Sequence, residues 1–188
     1  MKALSKDELL ALLAVARKHS EHDELMLRVM FNYAMRVSEV VGGWLYQSDG
    51  SKVWHEGLTA KHIVSGSYIV APRIKGSNRV EHPLLPDEKE ALLKLCAEIP
   101  EGRLFPMCRK TVWMHIKKYG VEAGIPAPRV FCHVMKHSAG RIGYKGGMTV
   151  QEIQEYMGHV NANNSMIYSR ATAEEAAAAF RIAIGGGA

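Results

Sequence analysis

Apolar residues recur with the spacing of an α-helix near both ends of the chain. The capping box Ser5-x-x-Glu8 begins a predicted helix that extends to about Lys18. A second helix is predicted from about His22 to Val41, where two glycines end the apolar pattern. After residue 86 the helical period returns, and further helices are predicted over about 87–97, 109–123, 133–144, 150–157, 163–169 and 172–182.

The middle of the chain has a different pattern. Short β-prone runs separated by Gly, Ser and Asn predict strands at 53–55, 63–64, 68–71 and 79–83, with a hairpin turn at 75–78. We therefore predict a mainly α fold with one small antiparallel β-sheet (α+β). The absence of repeats and of long linkers favours a single domain over residues 1–182, followed by a flexible glycine-rich tail at 183–188.

Composition is that of an ordinary globular protein, with 47% hydrophobic and 23% charged residues in a chain of 188. No apolar run approaches the ~18 residues that a membrane span requires, and the charged start is unlike a secretory signal. The three cysteines have no C-x-x-C spacing, so we expect buried thiols in a reducing compartment and a cytoplasmic location.

Positive charge is concentrated in one segment of the chain. Residues 103–145 contain nine Lys or Arg and a single acid, Glu122, although the whole chain has a net charge of only +5. Such a one-sided field suits a polyanionic partner, and the alternative is a solvated basic face with no partner.

Arg36 is an anomaly in the predicted second helix. It falls in a row of residues with the spacing of a buried stripe, which consists of Val29, Tyr33, Arg36 and Val40. A buried guanidinium is costly unless it is paired or faces a cleft. Glu39 lies three residues further on and can pair with it, so the pattern is open to two interpretations. Arg36 either serves a cleft or forms a local ion pair at the edge of the stripe.

His133, Lys136 and His137 have the spacing i, i+3, i+4, which predicts that they share one face of a helix. His159 follows Gly158 at the predicted end of the next helix. Two histidines at i, i+4 with a third can bind zinc. However, Lys136 would repel a dication, and no carboxylate or cysteine is in register, so we predict no metal and no cofactor.

Tyr168 follows Met166 and Ile167, and a tyrosine in such a context is usually a packed core residue. The alternative is a nucleophile, because neighbouring cations can activate a phenol whose ordinary pKa is near ~10.

Taken in order, these segments resemble the tyrosine recombinases of the phage integrase family. The resemblance rests on Met35-Arg-Val-Ser-Glu-Val-Val41, on Arg73-Ile-Lys-Gly-Ser-Asn-Arg-Val-Glu-His-Pro-Leu84, on His133-Val-Met-Lys-His-Ser138, on Tyr156-Met-Gly-His159 and on Tyr168. It covers nearly the whole chain. It implies the fold of the recombinase catalytic domain, with double-stranded DNA as the partner.

The resemblance also implies a role for each matching residue. Tyr168 would attack the scissile phosphate to give a 3′-phosphotyrosyl link, and Arg36, supported by Glu39, would act with Lys136 and His159 on the phosphate oxygens. Lys75 would donate a proton to the departing 5′ oxygen, and His133 would assist proton transfer. Other cations of the basic segment are expected to contact DNA, and these are Arg109, Lys110, Lys117 and Arg141.

The chain departs from the family pattern at two points. Lys136 stands where the family has an arginine, and lysine lacks the planar fork that grips two oxygens at once. We therefore expect reduced activity. The chain also begins where the catalytic domain would, so no N-terminal core-binding domain is expected. The family resemblance implies a tetramer on DNA, docked through the predicted helix 172–182, and a monomer in the absence of DNA.

Three alternatives remain open at this point. The chain is a non-catalytic DNA-binding relative whose site is degraded at Lys136, a DNA-relaxing topoisomerase with the same chemistry, or a metal hydrolase.

Overall fold

The computed structural model describes residues 3–74, 76–169, 177 and 181. Lys75 therefore lies outside the described residues, and so does most of the predicted last helix, of which Ala177 and Arg181 are helical. The described helices are α1 (Lys6–His19), α2 (Glu21–Asn32), α3 (Val37–Val41), α4 (Pro86–Glu98), α5 (Arg109–Glu122), α6 (His133–Lys145), α7 (Val150–Met157) and α8 (Asn163–Met166). The strands are β1 (Gly43–Tyr46), β2 (Lys52–His55), β3 (Ile63–Val64), β4 (Tyr68–Val70) and β5 (Glu81–Pro83).

The predicted fold class is confirmed, since helices dominate and the sheets are small and antiparallel. The prediction of one sheet is wrong, because among the described strands β1 pairs with β2 in one sheet and a separate sheet has the order β3-β4-β5. Strand β1 was missed because it begins at Gly43, the second of the two glycines that end the predicted helix. The predicted capping box at Ser5 is present, with Glu8 as its acidic partner, and Thr149 with Glu152 forms another at the start of α7.

The main core lies where α2 packs against α1, α4 and α6, and α1 also contacts α5. Fully buried side chains in this core include Leu12, Met26, Met30, Phe105 and Ile116. A second, smaller apolar cluster consists of Ala34, Ile153, Met157 and Tyr168. This second cluster joins α7 and the Tyr168 segment to the region that follows α2.

The predicted second helix is not continuous. Helix α2 ends at Asn32 and α3 begins at Val37, and between them Ala34 has a φ of 47°. A positive φ costs a residue with a Cβ about 1–2 kcal/mol, so the surrounding structure must hold this turn in place. The helical row predicted for Arg36 therefore does not exist, and Arg36 lies just before the first residue of α3.

Candidate active site

The turn between α2 and α3 is held by two cations from other parts of the chain. Arg73 donates to the carbonyl oxygens of Ala34 and Tyr33 at 3.0 and 3.1 Å. Lys136 donates to the Ala34 oxygen at 2.8 Å. Backbone carbonyls that cannot pair within a helix are thereby satisfied, and the strained turn is fixed beside the start of α3.

Glu39 is the anionic centre of the site and is fully buried. It accepts hydrogen bonds from the Arg36 side chain at 2.8 Å, from the Arg36 backbone N–H at 2.7 Å and from the Ile74 N–H at 3.2 Å. Arg73 lies 3.3 Å away. Burial raises the pKa of Glu39, but the charges of Arg73 and Lys136 and its hydrogen bonds outweigh burial, and the net pKa is lowered. Glu39 is therefore a carboxylate that positions two arginines.

Lys136 is buried in α6 rather than exposed to an approaching anion, with 5% of its surface accessible. Besides the Ala34 oxygen, its ammonium contacts the carbonyl oxygen of Met157 at 3.3 Å. Burial, assisted by repulsion from Arg73, lowers the pKa of Lys136 to about 7. Two of its three possible donor directions are thus used by backbone carbonyls.

The segment around the predicted hairpin lysine joins the distant parts of the site. Arg36 donates to the Ser77 hydroxyl at 3.0 Å, and the Asn78 N–H donates to the Gly158 carbonyl at 2.9 Å. Gly158 has a φ of 66°, and a Cβ there would lie 2.5 Å from the Asn78 oxygen. Only glycine fits this approach. Lys75 lies two residues before Ser77 and outside the described residues.

His159 directly follows Gly158 and is nearly buried. Its Nδ1 lies 2.8 Å from the Ser165 hydroxyl. Burial, together with the positive charges of Lys136 and Arg36, lowers the pKa of His159 to about 4, so the ring is neutral near pH 7. If Ser165 donates to Nδ1, the proton is on Nε2, and Nε2 can then donate to an anion.

Tyr168 is buried in the second cluster, with 1% of its surface accessible. Its ring is nearly parallel to that of His159, with centroids 6.3 Å apart, and its hydroxyl lies 3.4 Å from Nδ1 of His137. Gly140 in α6 makes room for the ring, because a Cβ there would lie 2.7 Å from two of its carbon atoms. Burial raises the pKa of Tyr168 to about 12, although Arg36 acts in the opposite direction.

The three residues predicted to share one face of α6 have different surroundings. His133 is exposed, Lys136 is buried and His137 is half-buried. His137 rather than His133 contacts the Tyr168 hydroxyl. His133 instead lines an open groove of about 930 Å³ together with Arg36.

The four predicted DNA contacts separate into two groups. Arg109 and Lys110, at the start of α5, line the same groove as Arg36. Lys117 lies further along α5 and donates to the Ala127 carbonyl, and Arg141 donates to the Tyr168 carbonyl at 2.8 Å. Arg141 therefore lies at the Tyr168 segment and is not among the residues that line the groove.

Arg73 and His82 were not singled out from the sequence, yet both are buried at the site. The Arg73 side chain is only 2% exposed and joins Glu39 to the turn at Ala34. His82 lies between the rings of Tyr33 and Tyr156, and burial, with repulsion from Arg73, lowers its pKa to about 4. The sequence feature that could have identified Arg73 is its position just after β4. His82 has no comparable feature.

Three further expectations concern residues away from the site. The cysteines are free thiols, but Cys108 is exposed at the start of α5, and Cys96 and Cys132 are half-buried. The prediction of buried thiols is therefore wrong for Cys108 and holds only in part for the other two. Among residues 3–74 and 76–169, no three His, Cys, Asp or Glu side chains are grouped as a metal ion would require. No helix in the described part of the chain has the length and apolar character needed to cross a membrane.

Sequence comparison gives a family match and similar proteins. The model of the phage integrase family matches residues 2–175. The tyrosine recombinase XerA of Thermococcus onnurineus is 29% identical over 179 residues, which cover 92% of this chain and 59% of XerA. The tyrosine recombinase XerD of Yersinia pestis is 27% identical over 169 residues, covering 81% of this chain and 50% of XerD. The chain thus spans little more than half the length of these relatives.

Solved structures give the same result for the fold. The crystal structure of XerA recombinase has a TM-score of 0.69 at 21% identity, over 95% of this chain and 63% of that one. The catalytic domain of bacteriophage HP1 integrase has a TM-score of 0.62 at 19% identity, over 89% of this chain and 86% of that domain. At these identities the likeness concerns the fold, and the family follows from the sequence match over residues 2–175. This chain belongs to the phage integrase family, as its ordered motifs predicted.

Proposed function

We propose that this chain cleaves and rejoins double-stranded DNA at specific sites through a 3′-phosphotyrosyl intermediate on Tyr168. The observation that carries the proposal is the convergence of the ordered sequence motifs. Arg36 contacts Ser77, Asn78 contacts Gly158, and the ring of His159 stacks on that of Tyr168. A chain of direct contacts thus joins the first arginine segment, the hairpin and the tyrosine.

In the proposed cleavage, the Tyr168 oxygen forms a bond to phosphorus as the bond from phosphorus to the 5′ oxygen breaks. The phosphodiester energy is kept in the new link, so neither ATP nor a metal is needed. Arg36 and the neutral His159 are the donors for the non-bridging oxygens, where charge develops in the transition state. Lys136 adds positive charge from behind the turn at Ala34, which makes it a weaker participant than an arginine fork.

Two protons must move during cleavage. One leaves the Tyr168 hydroxyl, and the contact with His137 supports a path through that ring and on to the neighbouring His133, whose centroid is 6.3 Å from it. The other goes to the departing 5′ oxygen, and Lys75 is its proposed donor. When the 5′-hydroxyl of another strand attacks the phosphotyrosyl link, both transfers reverse.

Burial of Tyr168 implies that the DNA-free protein is not poised to react. The hydroxyl contacts His137 and the ring lies against Gly140, so the tyrosine must leave this site to reach a phosphate. In the DNA-free protein, the apparent reactivity is reduced to the fraction of molecules in which the tyrosine is released. DNA binding would select this released conformation.

Double-stranded DNA is the proposed partner, bound along the face that carries Arg36, Arg109 and Lys110. A similar fold is found in XerH recombinase bound to difH substrate, with a TM-score of 0.65 at 20% identity. We further propose that the chain acts as one catalytic domain over residues 1–182, is monomeric when free, and forms a tetramer on DNA. Affinity from phosphate contacts should fall steeply with salt.

The deciding experiment is incubation with a nicked suicide DNA substrate that carries the recombination site of the host element. Cleavage releases a short fragment that carries the free 5′-hydroxyl. Because this fragment diffuses away, the covalent intermediate is trapped. We expect a protein–DNA band that survives denaturant and is lost in the Tyr168→Phe variant. An adduct that persists in this variant would contradict the assignment of the nucleophile.

A second candidate is a non-catalytic DNA-binding relative. It is favoured by the burial of Tyr168 and by the use of Lys136 to bind two backbone carbonyls. This alternative predicts salt-dependent DNA binding with no adduct from the wild type or from Lys136→Arg on a substrate that a related recombinase cleaves.

A further inference from the structure

Strands β1 and β2 form a two-stranded ribbon that exposes aromatic side chains. Trp44 is directly opposite Trp54, and Tyr46 is opposite Lys52, so the four side chains lie on one face of the ribbon. Trp44, Tyr46 and Trp54 are each more than half exposed. The rings of the two tryptophans meet edge to face at 5.4 Å, a cross-strand contact that helps to hold an otherwise marginal ribbon.

Basic side chains accompany these rings. The Lys52 ammonium lies 5.1 Å from the centre of the Tyr46 ring, and the Arg103 guanidinium lies 5.8 Å from that of Trp54. Arg103 is held in place by a 2.9 Å hydrogen bond to the carbonyl of Val41. Large exposed aromatic patches are uncommon on a surface that has no partner, and the cations specify what kind of partner would fit.

The ribbon and the start of α5 face each other across the groove of about 930 Å³. Apart from Arg36 and His133, six aromatic and basic side chains line it, namely Trp44, Trp54, Trp113, Arg103, Arg109 and Lys110. None of the described residues that line the groove is acidic. The same groove reaches Arg36 and His133, so it is continuous with the candidate active site.

We propose that this groove binds the unpaired DNA strand next to the scissile phosphate, with bases stacked on Trp44 and Trp54 and phosphates bound by Arg103, Arg109 and Lys110. The proposal rests on the proposed function. Rejoining a cut end to another strand requires that the nucleotides beside the cut separate from their complement. An enzyme that binds these nucleotides while they are unpaired favours the exchange.

The chemistry of the groove favours unpaired over paired bases. Alternating aromatic and cationic side chains are the usual means of binding single strands, because a base that has left the helix offers its ring face for stacking. In an intact duplex each base face is covered by its neighbours. Tryptophans would then contribute only after a base step is opened, which costs a few kcal/mol.

The chain offers a direct readout, since it contains three tryptophans and all three line this groove. Intrinsic tryptophan fluorescence therefore comes entirely from side chains that line this groove. Titration with a single-stranded 12-nucleotide DNA should quench the emission, whereas the matching duplex should quench it less at equal saturation. Affinities for both forms are measured at one salt concentration by anisotropy of labelled DNA.

We expect Trp44→Ala and Trp54→Ala each to weaken binding of the single strand about tenfold, which corresponds to ~1.4 kcal/mol, and to change duplex binding less than about threefold. Trp44→Leu keeps an apolar side chain in the ribbon, so a similar loss in that variant assigns the effect to stacking rather than to folding. Tyr68→Ala is the matched control, because Tyr68 is an exposed aromatic residue on β4 that does not line the groove.

Equal losses for single strand and duplex would overturn the proposal in favour of contacts in a duplex groove. No loss for either form would mean that the aromatic face serves another partner. The test is independent of catalysis. An adduct at Tyr168 without selective loss in the tryptophan variants contradicts only this inference, and selective loss without any adduct contradicts only the proposed function.

Discussion

The Tyr168 hydroxyl lies 3.4 Å from Nδ1 of His137, on the inner side of α6 and within an apolar cluster. Burial raises the pKa of this phenol to about 12. A neutral, buried phenol is a poor nucleophile, so the proposed reaction requires a change in its surroundings. For the proposed reaction to occur, the segment 163–169 that carries Tyr168 must therefore move.

Tyr168→Phe should abolish the covalent adduct and leave DNA binding nearly unchanged, because only the attacking oxygen is removed. Phenylalanine also fills the same space against Gly140, so the free energy of unfolding should change by less than about 1 kcal/mol. The adduct is measured on suicide DNA and the affinity by anisotropy. Loss of binding in parallel with loss of the adduct would show that the hydroxyl supports the DNA surface instead.

Gly140→Ala should release the tyrosine. The new methyl group would lie 2.7 Å from the Tyr168 ring, so the ring must move outward, and we expect a loss of about 1–3 kcal/mol of stability with faster adduct formation. Gly143→Ala is the matched control on the same helix, since its methyl would meet only the flexible end of Met148. Slower adduct formation in Gly140→Ala alone would mean that the ring lies against Gly140 during attack.

Arg36→Ala should reduce cleavage on the order of 10²–10³-fold while the protein still folds. Arg36 is about 20% exposed and Glu39 retains Arg73 as its partner, so no isolated charge is left buried. Arg73→Ala is the contrasting variant. It removes a buried donor to the turn at Ala34 and should destabilise the protein by about 3–5 kcal/mol. Thermal unfolding separates the two, and an unfolded Arg36→Ala protein would support a purely structural ion pair.

Local sequence rules predicted most of the helices and the Arg36–Glu39 pair, because both depend on spacing within a few residues. They did not predict the break after Asn32, since the positive φ of Ala34 is stabilised by Arg73 and Lys136 from distant segments. The burial of Lys136 was missed for the same reason. Its acceptors are backbone carbonyls, which any residue type provides.

The surroundings of Tyr168 could be predicted only in part. The sequence left open whether it was a core residue or a nucleophile, and the structure shows a buried ring that Gly140 accommodates. The tryptophan pair on the ribbon was invisible for a different reason. Trp44 and Trp54 are opposed only in one register of β1 and β2, and β1 itself was not predicted.

Protein stability should decrease as the pH falls from about 6.5 towards 4. His82 and His159 have folded-state pKa values of about 4, whereas in the unfolded chain both protonate near ~6.5. The unfolded state therefore binds more protons in this window, and stability is complete above pH 6.5. Each of the two histidines should lower the free energy of unfolding by about 1–2 kcal/mol when the pH falls from 7 to 5.

Urea unfolding at pH 7 and pH 5 measures this effect. His82→Phe keeps a ring between Tyr33 and Tyr156 but cannot titrate, so it should lose part of the acid sensitivity. An unchanged difference between the two pH values in this variant would assign the sensitivity to other groups.

Lys136→Arg should raise cleavage by about tenfold near pH 8, equivalent to ~1.4 kcal/mol of barrier. The Lys136 ammonium has a pKa of about 7 in the DNA-free protein, so its charge is lost as the pH rises through neutrality, whereas arginine stays charged. An arginine fork can also keep donating to the Ala34 and Met157 carbonyls and present a further N–H to the phosphate.

The ratio of the Lys136→Arg rate to the wild-type rate at limiting DNA should therefore increase from pH 6 to pH 9, and taking the ratio cancels the titration of other groups. Lys136→Met provides the opposite control, because the Met157 carbonyl loses this donor and the Ala34 carbonyl keeps Arg73 but loses Lys136. Stability should therefore fall by about 1–3 kcal/mol. A ratio that stays at or below one over this range would mean that the pocket is adapted to lysine as a buried structural cation.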